Sequence, residues 1–143
     1  MKGLNGERAG GTPSSRSGVM CSEPVVLVVD DSADLRRLVR QTLRGLPVRV
    51  EEAVDGDAAW RWIRGASRLH LLITDVDMPG VDGVDLAIRA TGRRPELAVI
   101  VMSGSEPDAV LERIGERPFS FFRKPVRPSR LLERVAELLD LSL

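Results

Sequence analysis

LLITDVDMPGVDG, residues 71–83, carries a near-continuous apolar run into a carboxylate at Asp75, with Asp77, Asp82 and, just beyond, Asp85 close behind. An apolar run without polar alternation fits a strand covered on both faces, the habit of parallel sheets. Two further runs share that pattern, VVLVV at 25–29 and LAVIVM at 97–102, and with residues 69–74 they make the expected centre of a sheet. VRVEEAV instead alternates around Val48 and Val50, and FSFF at 119–122 is short, so both suit sheet edges.

Segments of helical periodicity separate these runs, giving five strand–helix units. In the first helical segment Leu35, Leu38, Val39, Thr42, Leu43 and Leu46 share one stripe, with Ser32 as N-cap and Gly45 near the end. In the last, Leu131, Val135, Leu138 and Leu139 do the same behind Pro128, which sits where a helix start tolerates proline. Alternating β and α units with short links predict an α/β fold: a doubly wound, five-stranded parallel sheet of order 2-1-3-4-5 with five helices. Sheets of that kind bind ligands at the carboxyl ends of their strands, here beside the switch in order between strands 1 and 3.

The chain of 143 residues, 43% apolar, has room for one sizeable core. Its 21 basic and 21 acidic residues cancel, so no overall field draws it to nucleic acid or an anionic membrane, and no helix-turn-helix or basic stripe is evident. The apolar runs fall far short of the roughly 18 residues of a membrane span. The start, MKGLNGERAGGTPSSRSGVMCSEP, lacks the apolar centre of a secretory signal. These features read as a cytoplasmic protein with a mobile tail at 1–22 and one folded domain at 23–143. Cys21, the single cysteine, cannot close an internal disulfide and reads as an incidental thiol.

The fold directs attention to the polar residues at the carboxyl ends of the strands. These are Asp30 and Asp31 after strand 1, Asp75 after strand 3, Ser103 after strand 4 and Lys124 after strand 5. Three converging carboxylates raise one another's pKa unless a cation neutralises them. Mg²⁺ suits such a site, being a hard ion that accepts a few carboxylate and carbonyl oxygens together with water and phosphate oxygens. No His or Cys cluster offers a zinc site. A lysine and a hydroxyl facing that metal would form a receptor for a phosphoryl group.

VVLVVDDSADLRRLV, LLITDVDMPGVDG, VIVMSGS and FFRKPV, in that order and on those strand ends, resemble the successive signatures of the response-regulator receiver domain, the phospho-accepting module of two-component signalling. The resemblance covers residues 24–143, is of the chemotaxis-regulator-like single-domain type, and implies a flavodoxin-like fold. It implies that Asp75 is the phosphoacceptor and belongs to the metal set. Asp31 would bind Mg²⁺, or Mn²⁺ as a substitute, directly; Asp30 would act mainly through water, and Asp77 through its backbone carbonyl, with its carboxylate, near the rim of the site with Ser105, influencing the approach of the hydrolytic water. Lys124 would pair with a phosphoryl oxygen, Ser103 would supply the hydroxyl, and Phe121 would be the switch aromatic. The implied partners are a sensor histidine kinase or histidine phosphotransfer protein and an unknown downstream protein target. The implied chemistry is self-catalysed phosphorylation and autodephosphorylation at Asp75, which switches the face built from the fourth helix, fifth strand and fifth helix. The Lys124–Pro125 bond is often cis in this family.

Simpler roles cover the remaining polar and aromatic residues. Asp82 reads as a cap of the third helix and Asp85 as a carboxylate favoured in its first turn. Phe119 and Phe121 fall on one face of the fifth strand and Phe122 on the other. His70 opens strand 3 and has no exposed helix from which to relay phosphate. Trp62 reads as core and Trp60, on the other side of the second helix, as an exposed contact. Gly104, Pro107, Gly115 and Pro118 surround the fourth helix, which is expected to be the most mobile part of the output face. Two other functions remain in view: a receiver-like interaction module that works without phosphorylation, and a haloacid-dehalogenase-like phosphatase suggested by the Asp-x-Asp of DVDMP. The phosphatases carry that motif on their first strand, whereas here it closes the third. With nothing after Leu143, output is expected through protein contacts or phosphorelay, or the chain is a piece of a hybrid kinase.

Overall fold

The computed structural model describes residues 22–143, so Cys21 and the tail before it lie outside the described residues. Five parallel strands, β1 (Val25–Val29), β2 (Arg49–Ala53), β3 (Leu71–Asp75), β4 (Ala98–Ser103) and β5 (Ser120–Arg123), form one sheet in the order β2-β1-β3-β4-β5. Helices α1 (Ala33–Thr42), α2 (Gly56–Gly65), α3 (Gly83–Arg93), α4 (Pro107–Ile114) and α5 (Pro128–Leu138) connect them or follow them.

Period-two alternation in β1 divides the core. Val25, Leu27 and Val29 face a layer with Ala59, Ile63, Leu86, Ala87 and Val110 of α2, α3 and α4. Val26 and Val28 face Val39, Leu43, Leu131 and Val135 on the side of α1 and α5. Both sets in β1 are buried, which is why its sequence shows no polar alternation. Each fully buried Leu or Ile contributes about 1.5–3 kcal/mol.

Several local readings shift by a residue or two. β3 begins at Leu71, after the predicted 69, and includes Asp75 as its last residue. His70 lies just before it and anchors the neighbouring strand, because its Nδ1 accepts from the Val25 N–H at 2.9 Å. The α1 stripe extends to Leu43 and Leu46, but α1 ends at Thr42 and Leu43–Gly45 form a 3-10 turn. That tighter turn still buries both leucines. Trp60 differs from its expected exposed position: both it and Trp62 are half-buried against the core layer of α2 and α3. β5 spans Ser120–Arg123, with Phe119 and Phe121 on one core face and Phe122 on the other. No helix among the described residues is long and apolar enough to cross a membrane.

Candidate functional site

At the carboxyl edge of the sheet, Asp30, Asp31 and Asp75 offer oxygens that all lie within 4.8 Å of one another. Asp30 is 1% exposed and Asp75 3%, whereas Asp31 faces solvent. The tip of β1 holds Asp30 by local geometry: its Oδ1 accepts from the Ser32 N–H at 2.8 Å, at the turn where Ser32 also caps α1. Lys124 reaches across from the end of β5, its Nζ 3.2 Å from Asp30 Oδ2 and 3.0 Å from Asp75 Oδ1. The second contact is an ion pair without hydrogen-bond alignment, so Asp75 Oδ1 is a buried acceptor with no hydrogen-bond donor among the described residues. The Lys124–Pro125 peptide bond is cis.

Burial pushes the Asp75 carboxyl above its ordinary range, and the charge of Asp30 adds to that rise. The Lys124 ammonium and the Asp77 backbone amide oppose it without cancelling it. For Lys124, burial is the largest single influence and acts downward, but Asp75 and Asp30 together outweigh it and hold the ammonium above its ordinary pKa. One cation thus serves two buried carboxylates, leaving a surplus of negative charge and an acceptor oxygen unbonded. An all-oxygen donor set with that surplus fits a hard divalent cation such as Mg²⁺.

Ser103 sits one residue beyond Met102, the register partner of Asp75 on β4. Its hydroxyl is buried and turned to the β3–α3 loop, donating to Asp77 Oδ2 at 3.0 Å and accepting from the Ser105 N–H at 2.9 Å. The Ser105 hydroxyl donates to the other Asp77 oxygen at 2.9 Å. Asp77 therefore gathers both serines at the rim: the sequence set its carboxylate beside Ser105, and the bond from Ser103 is what the structure adds. Phe121 is half-buried on the layer that holds Val101 and Val110. Asp82 caps α3, accepting from the Val84 and Asp85 N–H groups.

Three contributors escaped the sequence reading. Gly83 packs so tightly under β3 that a Cβ there would lie 2.0 Å from the Asp75 carbonyl oxygen. The Asp-Gly pair signals a helix start, but not which strand the helix presses against. Arg36 donates to the Asp30 carbonyl at 2.6 Å and to Glu52 at 3.0 Å, and so bolts the β1 tip to β2. Arg113 of α4 grips Asp82 at 2.8 Å and Asp85 at 3.3 Å, which ties α4 to the start of α3. Both arginines lie on exposed faces of their helices by sequence pattern, and only the packing supplies their partners.

The profile of the response regulator receiver domain matches residues 26–136. Among curated proteins the chain is similar to chemotaxis protein CheY1 of Helicobacter pylori, 33% identical over 118 residues that cover 80% of this chain and 95% of that protein. It is also similar to the DNA-binding transcriptional regulator NtrC of Azospirillum brasilense, 32% identical over 83% of this chain, but spans only 25% of that protein's length. Among solved structures, a CheY-like receiver domain from Methanospirillum hungatei superposes with a TM-score of 0.73 at 27% identity, covering 83% of this chain and 95% of that one. A five-stranded sheet of order 2-1-3-4-5, an acidic cluster at its carboxyl edge and a family match over most of the described residues agree: the chain belongs to the response-regulator receiver domains of two-component systems.

Proposed function

We propose that the chain accepts a phosphoryl group on Asp75 from the phosphohistidine of a sensor kinase or histidine phosphotransfer protein, and passes the signal through α4, β5 and α5. The observation that carries this reading is the buried Asp75 Oδ1, flanked by Asp30 and Asp31 and left without a hydrogen-bond donor beside Lys124. A carboxylate oxygen so placed is a nucleophile facing a cation. In the transfer, an Asp75 oxygen forms a bond to phosphorus while the phosphorus–nitrogen bond breaks. That electron pair stays on the imidazole nitrogen, which takes up a proton.

Asp31, Asp30, Asp75 and the Asp77 carbonyl would hold Mg²⁺, or Mn²⁺ in its place, and the ion would supply charge stabilisation to the phosphoryl oxygens. Lys124 leaves its ion pair with Asp75 to hold a phosphoryl oxygen. Ser103 donates its hydroxyl to another, and Phe121 turns further inward as β4 and α4 adjust. The added charge, about −1.5 to −2, biases two packings that differ by a few kcal/mol. Hydrolysis of the acyl phosphate by water returns free Asp75 and inorganic phosphate. A groove of about 780 Å³ along β5 and α5, lined by Phe121, Phe122, Arg130 and Arg134 among others, is a surface on which a protein target can read the change.

Acetyl phosphate with Mg²⁺ tests this directly. The expected result is a one-phosphoryl mass increase on the peptide containing Asp75, absent in Asp75→Asn and absent with EDTA. No adduct, under conditions that label a control receiver, would replace this reading with that of an interaction module acting without phosphorylation.

A further inference from the structure

We propose that the Asp77 carboxylate is a latch that holds Ser103 off the phosphorylation site, so that it sets how readily the chain enters the phosphorylated packing. The inference rests on the phosphoacceptor reading above and concerns the regulation of that same site. A serine hydroxyl has one proton to give. Here that proton is committed to Asp77 Oδ2 at 3.0 Å, and the hydroxyl oxygen is engaged by the Ser105 N–H at 2.9 Å. Ser103 is 0% exposed, and with its one proton on Asp77 its hydroxyl reaches a phosphoryl oxygen on Asp75 only by leaving the carboxylate. Asp77 itself is exposed and regains water once released.

The same carboxylate holds the loop that must move. Ser105 Oγ donates to Asp77 Oδ1 at 2.9 Å, which makes Asp77 a two-point tether from the β3–α3 loop to the β4–α4 loop. Beyond the tether α4 starts at Pro107 with no side-chain cap, and Val110 is the first of its residues held in the core. Gly104, between the two serines, would meet nothing within 4 Å even with a Cβ added, so the connection is open on that side. Releasing Ser103 therefore removes one of the two points of that tether, at the connection that leads into α4. The latch couples the chemistry at Asp75 to the output face through three side chains.

A charge-assisted hydrogen bond of this kind, partly open to water, alters a two-state population by about tenfold. The test uses beryllofluoride with Mg²⁺ as a stand-in for the phosphoryl group on Asp75, with apparent affinity as the readout. Asp77→Ala is expected to bind about tenfold more tightly than the wild type. Asp77→Asn, which keeps an acceptor oxygen without the charge, is expected to fall between them. In a Ser103→Ala background, where the latch has nothing to hold, the two Asp77 variants should bind alike. Equal tightening by Asn and Ala in the wild-type background would reduce Asp77 to a repulsive charge and overturn the latch.

The Ser105 amide resonance gives a second measurement that needs no ligand. It should shift in free Asp77→Ala as its acceptor, Ser103 Oγ, leaves; an unmoved resonance overturns the proposal. Wild-type protein that binds no beryllofluoride would overturn the phosphoacceptor reading and the latch with it. A failed latch alone leaves wild-type binding intact.

Discussion

Lys124 Nζ lies 3.0 Å from Asp75 Oδ1 yet does not align as its hydrogen-bond donor, while the same ammonium donates to Asp30 Oδ2 at 3.2 Å. The pair is poised rather than saturated, and its energetics should be measurable without any partner protein.

Folding disfavours the charged form of Asp75, since burial and the Asp30 carboxylate raise its pKa. A raised carboxyl pKa contributes stability at low pH that disappears as pH climbs from the ordinary carboxylate value through the folded one. At neutral pH, in EDTA, Asp75→Asn should therefore melt higher than the wild type by about 3 °C. The gain should vanish on acidification below the ordinary carboxylate range. Thermal melts across pH check this, and an Asn variant less stable at pH 7 contradicts it.

Lys124→Met leaves Asp30 and Asp75 buried together without a cation. Urea unfolding in EDTA should show a loss of about 1–3 kcal/mol. Combining it with Asp75→Asn should recover part of that loss, because only one buried carboxylate of the two then remains.

His70 offers a separate pH signal, remote from the acidic cluster. Burial lowers its pKa, and Arg68 and Arg94 push the same way, while Nδ1 must stay unprotonated to accept from Val25 N–H. The unfolded chain binds a proton near pH 6.5 that the folded chain resists, so stability declines as pH falls through that value. In His70→Gln this part of the decline between about pH 7.5 and 5.5 should be missing. Parallel curves for the two proteins would show the ring to be uncoupled from folding.

Gly83 and Gly92 both lie in α3 and should respond in opposite directions. A Cβ at Gly83 would collide with the Asp75 backbone, so Gly83→Ala should cost about 2–4 kcal/mol and slow labelling of Asp75. At Gly92 a Cβ meets nothing, so Gly92→Ala should stabilise by about 0.5–1 kcal/mol through helix propensity alone. Denaturant midpoints for the two variants decide the point.

Arg113 joins α4 to Asp82 and Asp85 through partly exposed ion pairs. Such contacts are worth about 0.2–1 kcal/mol, so Arg113→Ala should barely change global stability. It should, however, speed amide exchange in α4 relative to α1. Unchanged α4 exchange would show that the helix is held by Val110 and Ile114 packing alone.

Hydrophobic pattern carried the architecture: VVLVV, LLIT and LAVIVM have no polar face, so they could only be central strands, and the edge character of VRVEEAV and FSFF followed from the same rule. Once the order of strands is known, the carboxyl edge collects Asp30, Asp31, Asp75, Ser103 and Lys124 without further choice. Local periodicity cannot say which long polar side chain crosses to which neighbour, because those partners are distant in sequence and chosen by packing. The bond from Ser103 to Asp77, the reach of Arg113 from α4 to Asp82, the half-burial of Trp60 and the pressure of Gly83 on Asp75 all belong to that second kind. Apolar burial is decided by short-range alternation and is written into the chain; hydrogen bonds and ion pairs between loops depend on angstrom-scale placement, which only the assembled sheet and helices provide.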